Sequence, residues 1–469
     1  MLEESLFKVI PLVALPQVAA MLVDGLYNMA DMFFVSQLGL AATAAVGIND
    51  SLMHLIHAIA LTFGMGAASY ISRLMGAKKD EEASRAASTT LFSAMGSIAI
   101  IAIGLFIFVS PLVDFLGATE AAKRYSTEYA RWTLLFSPFT AGTVCLSQTL
   151  RGEGSSARAM IGTVSGCIIN IALDPLLITT FGLGVAGAAI ATGISKVISF
   201  GILLYPYLAH KSVLRINIKL FLPSKSLYVE IARIGIPVAL RSGMMVLSSI
   251  LINNLASGFG DDALASVSVA NKCMRLIGSG IIGFGQGFQP IAGFCWGAKK
   301  YGRVKKAFYY TSLIGAVLGA LLGALLAIFA NEAIGVFADG ADSLSIGTVL
   351  IRTQCAVLPL HVLSMTCTGL LQATGKAVRA GVMALSRQVI ILIPCALLLT
   401  YRFGLDGLSY SQAVADVISA LAAVALTYPL IKELDRMQRM QETTAQMSED
   451  EPGENSCFIA EEVLYEQPD

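Results

Sequence analysis

Apolar runs of about twenty residues, the length of helix that crosses a hydrocarbon core, follow one another along most of this chain, with short clusters of glycine and charge between them. By length and hydropathy the pattern predicts twelve membrane-spanning helices, at 11–36, 45–72, 87–110, 128–150, 159–180, 184–208, 230–256, 264–292, 307–330, 347–371, 379–400 and 406–432. A soluble helical repeat would carry polar faces at a period of 3.6 residues, and these runs carry none. The expected fold class is an all-α membrane protein.

The punctuation between the runs repeats. "MGAKK" (Met75 to Lys79) returns as "WGAKK" (Trp296 to Lys300), an offset of 221 residues. Without gaps, that offset also pairs Pro16 with Pro237, Gly39 with Gly260, Gly66 with Gly287, Arg131 with Arg352 and Pro138 with Pro359. Each half therefore holds six spans. Six is even, so the halves share an orientation and should be related by a pseudo-twofold along the membrane normal, with a cavity between two rocking bundles. The domains expected are an N-terminal bundle at 1–208, a cytoplasmic linker at 209–229, a C-terminal bundle at 230–436 and a disordered acidic tail at 437–469.

Composition sharpens this picture: 55% of residues are hydrophobic, 14% are charged, and the mean hydropathy is +0.71, against about 25% charged in soluble domains. Bases gather in alternate loops, at Lys78 and Lys79, Arg151 and Arg158, Lys211 and Arg215, Lys299 and Lys300, and Lys376 and Arg379. The loops between them carry Asp261, Asp262, Asp339 and Asp342. The positive-inside rule then puts both termini in the cytoplasm. The first residues lack the basic region and cleavage site of a secretory signal, so the first span is expected to be retained. A formal charge of zero conceals an asymmetry: the segment after Met440 is rich in acids and has no Lys or Arg, while the remainder is net basic. The eight cysteines fit no metal spacing and read as small buried hydrophobes. Nothing resembles a catalytic cluster, so no enzymatic activity, cofactor or nucleic-acid partner is expected.

Ionisable groups inside a membrane need a reason, because each is costly to bury. The candidates are Asp24, Asp31, Asp50, Asp174, Lys196, Arg241, Lys272, Arg275, Arg387 and Asp416. Asp24 and Asp31 are two helical turns apart on nearly one face, with Tyr27 one turn from Asp31. Asn170 and Asp174 share a face by i, i+4 spacing. Span direction puts Asp31, Asp174 and Thr192 in the same outer half. Two carboxylates, an amide and a hydroxyl at similar depth suit a proton or a small hard cation held through oxygen. Pro175 withholds an N–H and kinks the fifth span. The repeat supplies a control, since the offset takes Asp24, Asp31, Asn170 and Asp174 to Met245, Ile252, Ile391 and Cys395. Acids occur in one half only, which assigns ion coupling to the N-terminal bundle. A blander reading pairs each buried Asp with a neighbouring backbone or with Lys196; the matched depth of several carboxylates weighs against it for the set. Asp50, Asp416, Lys196, Arg241, Lys272 and Arg275 are expected to be structural pairs or cavity-lining charge. The glycines of "GFGQGFQPIAGFCWG" are expected to mark close helix packing.

"YNMADMFFVSQLG", "QTLRGEGSSARAM", "NIALDPLLI" and "RQVIILIP", in that order, resemble motifs of the multidrug and toxic compound extrusion (MATE) family of secondary transporters, over roughly residues 5–435. The look is that of the bacterial MepA-like branch. The resemblance implies two six-helix bundles in a V, a MATE fold, monomeric among the lipids of a bacterial inner membrane. It implies export of cationic amphipathic drugs or dyes in antiport with H⁺ or Na⁺. Carried over residue by residue, Asp31, Asn170, Asp174 and Thr192 match the N-bundle cation or proton site, and would ligate Na⁺ if sodium is the coupling ion. Asp24, Tyr27 and Asn28 fall to the substrate cavity, Asp24 standing where many relatives carry glutamine. Some relatives place an essential glutamate on the seventh helix; here "PVALRSGMMVLSSILINNLAS" has Arg241 and no acid, which tells against a C-bundle cation site of that type. The alternative is a lipid-linked precursor flippase of related architecture, which would want a larger and more basic cavity. A major facilitator carrier shares the repeat symmetry, but its loop signature is absent from "RLMGAKKDEEASR".

Overall fold

A hydrocarbon solvent offers backbone N–H and C=O groups no partner, so a chain this apolar must satisfy them within each segment. In the computed structural model, which describes residues 4–335 and 341–450, every regular element is helical. The first half forms α1 (Leu6–Ser36), α2 (Leu40–Gly76), α3 (Asp80–Ile107), α4 (Glu120–Gly152), α5 (Ser156–Pro175) and α6 (Gly184–Leu208). The second half forms α7 (Lys225–Ser257), α8 (Asp261–Gly297), α9 (Tyr301–Ile328), α10 (Ala341–Ala373), α11 (beginning as Ala377–Leu385) and α12. α11 runs through π-helical turns at Ser386–Leu392 and on to the break at Gly404, where φ is 62° and ψ −135°; α12 follows from 405 to 450. Twelve rods thus occupy the twelve expected spans. Among the described residues nine helical stretches are long and apolar enough to cross a membrane, the last of them being α11 and α12 together. α4 and α8 are long enough but less apolar along their length.

The duplication is visible in backbone geometry. Gly39 and Gly260 open their helices at φ 105° and 107°, a region that favours glycine, and Gly154 and Gly375 turn at 87° and 76°. Lys78 and Lys299, inside the two "GAKK" turns, both adopt a left-handed φ, at 59° and 56°.

The two bundles exchange half a helix each. The first half of α1, through Leu6, Val9, Ile10, Val13 and Ala14, is buried in the C-terminal core against Phe284, Phe288 and Ile291 of α8. Reciprocally, Leu227 and Ile231 at the start of α7 are buried in the N-terminal core with Ile71 and Leu91. The far half of α1, with Val35, packs in the N-terminal bundle against α6.

At the end of the molecule that holds the chain's described termini, the bundles meet backbone to backbone. A Cβ on Gly76 would lie 2.2 Å from the Phe294 carbonyl oxygen, and one on Gly297 would lie 1.9 Å from the Arg73 carbonyl oxygen. Phe294 is the repeat partner of Arg73, and Gly297 that of Gly76, so each contact is the image of the other under the pseudo-twofold. Gly66 against Ile231, Gly235 against Thr62 and Gly287 against Ala14 extend the seam. Four of the five glycines of the "GFGQGFQPIAGFCWG" stretch, all but Gly285, therefore mark close helix packing. Ser69 Oγ donates to the Gln372 carbonyl at 2.6 Å, Gln17 Nε2 donates to Gln286 Oε1 at 3.0 Å, and Arg73 pairs with Glu230 at 2.9 Å across the same seam. Toward the opposite end, Gly25, Gly47, Gly243 and Gly278 have nothing within 4 Å of where a Cβ would stand. None of the close backbone approaches that build the seam recurs at those positions.

The linker between the halves is shorter than expected, because α7 begins at Lys225. It lies along α3: the backbone N–H groups of Arg215, Asn217 and Leu222 donate to the hydroxyls of Ser84, Ser88 and Thr89 at 3.1, 3.2 and 3.0 Å. The tail expected from 437 is helical as far as Asp450. Its first turns are built of strong helix formers, joined one turn apart by a Gln438–Glu442 hydrogen bond of 2.8 Å. Residues 451–469, Cys457 among them, and Asp339 lie outside the described residues.

The seam makes a testable prediction. In protein carrying cysteines in place of Ser69 and Gln372, Gly297→Val is expected to reduce disulfide cross-linking well below the parent. Gly96→Val, where a Cβ meets nothing within 4 Å, leaves it unchanged.

Candidate cation and substrate site

The fifth helix holds the site's centre because small residues let it approach α6 closely. A Cβ on Gly166 would lie 2.9 Å from that of Ser199, and one on Gly187 would lie 2.8 Å from the Leu177 carbonyl oxygen; Ser199 Oγ donates to the Gly162 carbonyl at 2.8 Å. Pro175 has no N–H for the carbonyl of Ile171. The helix does not stop there but widens into a π-helical turn, Leu176–Thr180, where the Thr179 hydroxyl donates to the Pro175 carbonyl.

One turn apart on α5, Asn170 and Asp174 face α6 and are fully buried, at 1% and 0% exposure. With its amide oxygen turned to donors, Asn170 donates from its nitrogen to Asp174 Oδ2 at 3.0 Å and accepts from Thr192 Oγ1 at 3.3 Å and from the Thr192 N–H at 3.1 Å. Thr192 is itself buried. The amide thus ties α5 to α6 and satisfies one carboxylate oxygen. The other, Asp174 Oδ1, has no hydrogen-bond partner among the described residues, and neither does Asp31 Oδ1 on α1. The two carboxylates are within electrostatic reach of each other. Three of the four residues assigned to the cation site are therefore joined by hydrogen bonds, with Asp31 facing them.

Two unpaired carboxylate oxygens in a low-dielectric interior attract positive charge strongly. A proton would satisfy either one. Na⁺ would need further oxygen: the Thr192 hydroxyl, which donates to Asn170, keeps lone pairs to offer, whereas the Asn170 amide oxygen would have to release one of its two donors. No three His, Cys, Asp or Glu residues converge as a metal-binding set among the described residues.

Of the substrate-cavity residues, Tyr27 is buried, with Lys196 Nζ 5.6 Å from its ring centroid, a cation–π contact. Asp24 is half-buried and within electrostatic reach of Tyr27. Asn28 is exposed, and one N–H of its amide donates back to the Asp24 carbonyl at 2.7 Å. Asp50 lies within electrostatic reach of Asp31.

Tyr129 of α4 was not singled out by the sequence. It is buried and within electrostatic reach of Asp31, Asp50 and Asp174. The repeat offset takes it to Leu350, so the control that isolated the acids also isolates this phenol. In the C-terminal bundle, Asp416 Oδ1 accepts from Arg387 Nε at 2.5 Å and lies 3.2 Å from His361 Nδ1. Asp416 is a structural pair, as expected. Lys272 and Arg275 are exposed.

Comparison with known proteins adds a family to this geometry. The MatE family model matches residues 16–176 and 237–398, once in each half. The chain is 29% identical to the multidrug export protein MepA of Staphylococcus aureus (strain MSSA476), over 91% of this chain and 95% of that protein. It is 27% identical to the MepA of Staphylococcus saprophyticus over the same shares. Among solved structures, an outward-facing multidrug resistance MATE family transporter of the MOP superfamily superposes with a TM-score of 0.88 at 26% identity, covering 93% of this chain and 98% of that one.

The amide bridge is testable on stability. Asn170→Ala strands the Asp174 carboxylate and is expected to cost about 1–3 kcal/mol, read as a lower melting temperature in detergent. In an Asp174→Asn background the same change should cost less, a coupling that a double-mutant cycle reports.

Proposed function

Because the chain belongs to the MatE family, whose members are transporters and not enzymes, we propose that it is a secondary multidrug efflux transporter that exports cationic amphipathic compounds in exchange for H⁺ or Na⁺. One observation carries the reading: Asp31, half-buried, and Asp174, fully buried, each hold a buried carboxylate oxygen without a hydrogen-bond partner among the described residues, on different helices of one bundle. The staphylococcal relatives are named multidrug export proteins, which supports drug efflux.

With the basic loops taken to the cytoplasm by the positive-inside rule, the seam lies at the cytoplasmic face of a bacterial inner membrane and the acidic cluster is approached from outside. From outside, a proton or Na⁺ reaches Asp31 and Asp174 and cancels their mutual repulsion. α1 is the element that responds. Its far half carries Asp31 in the N-terminal bundle, and its near half is buried in the C-terminal core. Neutralising Asp31 loosens the hold of the acidic wall on a cationic substrate, which leaves outward. The same event lets α1 repack, and its near half transmits that change to the other bundle. A membrane potential adds about 2.3 kcal/mol per charge per 100 mV to an inward-moving cation. Asp24, Tyr27 and Lys196 line the route beside the cluster.

Asp31→Asn and Asp174→Asn test this directly. Each is expected to fold and yet reduce ion-driven dye efflux from sealed vesicles to the level of protein-free vesicles. Efflux at the unmodified rate in either variant overturns the coupling role. Translocation of a lipid-linked precursor in the absence of any dye transport favours the flippase.

A further inference from the structure

Deep in the C-terminal bundle lies a charge constellation for which cation efflux has no use. Arg241 is on α7, His361 on α10, Arg387 on α11 and Asp416 on α12. α7 and α11 run side by side: a Cβ on Gly381 would lie 3.2 Å from Pro237, and Ser248 Oγ donates to the Gln388 carbonyl at 3.3 Å. That register brings the guanidinium groups of Arg241 and Arg387 to one depth, within electrostatic reach of each other. Arg387 spends its Nε on Asp416. Arg241 has no ion pair among the described residues; its Nε is buried without a hydrogen-bond partner, and its Nη1 finds only the weak acceptor Met365 Sδ at 3.8 Å. Two guanidiniums against one carboxylate leave the site net positive whether or not His361 is protonated. An unpaired buried charge is costly to hold. Arginine's fork of donors matches a carboxylate in two parallel hydrogen bonds.

The repeat sharpens the contrast. The 221-residue offset places Ala20 and Gly166 where the C-terminal half has Arg241 and Arg387. Aligning "SKVIS" with "ADVIS" sets Lys196 against Asp416. Among the intramembrane candidates the N-terminal bundle thus has four acids with one base, Lys196, and the C-terminal bundle four bases, Arg241, Lys272, Arg275 and Arg387, with one acid, Asp416, on the same scaffold. His361, Arg387 and Asp416 remain reachable, with 16%, 25% and 10% of their side chains exposed.

We propose that Arg241 and Arg387 form an anion subsite in the C-terminal bundle, which takes the carboxylate of transported molecules whose cationic group lies at the acidic wall of the N-terminal bundle. The preferred substrates are then zwitterionic amphiphiles rather than simple cations. The inference rests on the efflux reading of the acidic cluster and deepens it.

A matched pair of probes tests it: a fluorescent amphiphile bearing a tertiary amine and a carboxylate, and its methyl ester, which keeps only the cation. Both are assayed for efflux by reconstituted protein and for binding to purified protein. The unmodified protein is expected to bind the zwitterion more tightly than the ester. Arg241→Gln removes a charge-assisted bidentate contact and should raise the zwitterion's KM and Kd about tenfold or more, with the ester's values within about twofold of the parent. Arg241→Lys should recover part of the loss. Equal treatment of the two probes by the unmodified protein overturns the proposal, and so does an Arg241→Gln variant that weakens both probes alike. Loss of ion-driven efflux of the ester by the unmodified protein would instead strike at the efflux reading, and the binding measurement would still decide the subsite.

Discussion

The architecture depends on the seam where glycine lets backbone meet backbone. Gly76 lies against Phe294 and Gly297 against Arg73, and each contact is the twofold image of the other. Helix association in a bilayer gains nothing from hiding apolar surface, since lipid is as apolar as leucine; close approach and dispersion must supply it. The glycines concentrate that approach at one end of the molecule and leave the other end free.

On that symmetric scaffold the charge is asymmetric. Asp31 and Asp174 have apolar or thiol partners, Ile252 and Cys395, in the second half, while Arg241 and Arg387 have Ala20 and Gly166 in the first. Duplication kept the turns, at Gly39 and Gly260 and at Lys78 and Lys299, because they set how the helices connect. It did not keep the buried charges. α1 joins the two features, since it carries Asp31 at one end and anchors in the opposite core at the other. In the proposed mechanism, a change of charge at the first end is felt as packing at the second.

Much of this was legible in the sequence, for physical reasons that can be named. Membrane spans are strongly patterned because the bilayer fixes their length, and the 221-residue offset exposed both the symmetry and its exceptions. Asn170, Asp174 and Thr192 could be grouped because i, i+4 spacing and span direction fix face and depth. Tyr129 escaped because a tyrosine near the end of a span reads equally well as an interfacial anchor. The half-helix exchange escaped as well, since Ile10 and Ile231 look like any other core residues and only the fold says whose core they fill. The helical extension to Asp450 was hidden by a composition that suits both a solvated helix and a disordered tail. Asn28, adjacent to Tyr27 in sequence, is exposed where Tyr27 is buried, a difference that a helical rotation of about 100° per residue produces.

The central claim is that positive charge arriving at Asp31 and Asp174 drives substrate the other way. Its most direct measurement is cationic-dye movement in sealed vesicles of purified protein, with a pH gradient and a Na⁺ gradient imposed one at a time and the membrane potential clamped. The account predicts uphill dye movement under at least one of the two gradients, which names the coupling ion. Dye flux that follows its own gradient alone, indifferent to both ions, would contradict it.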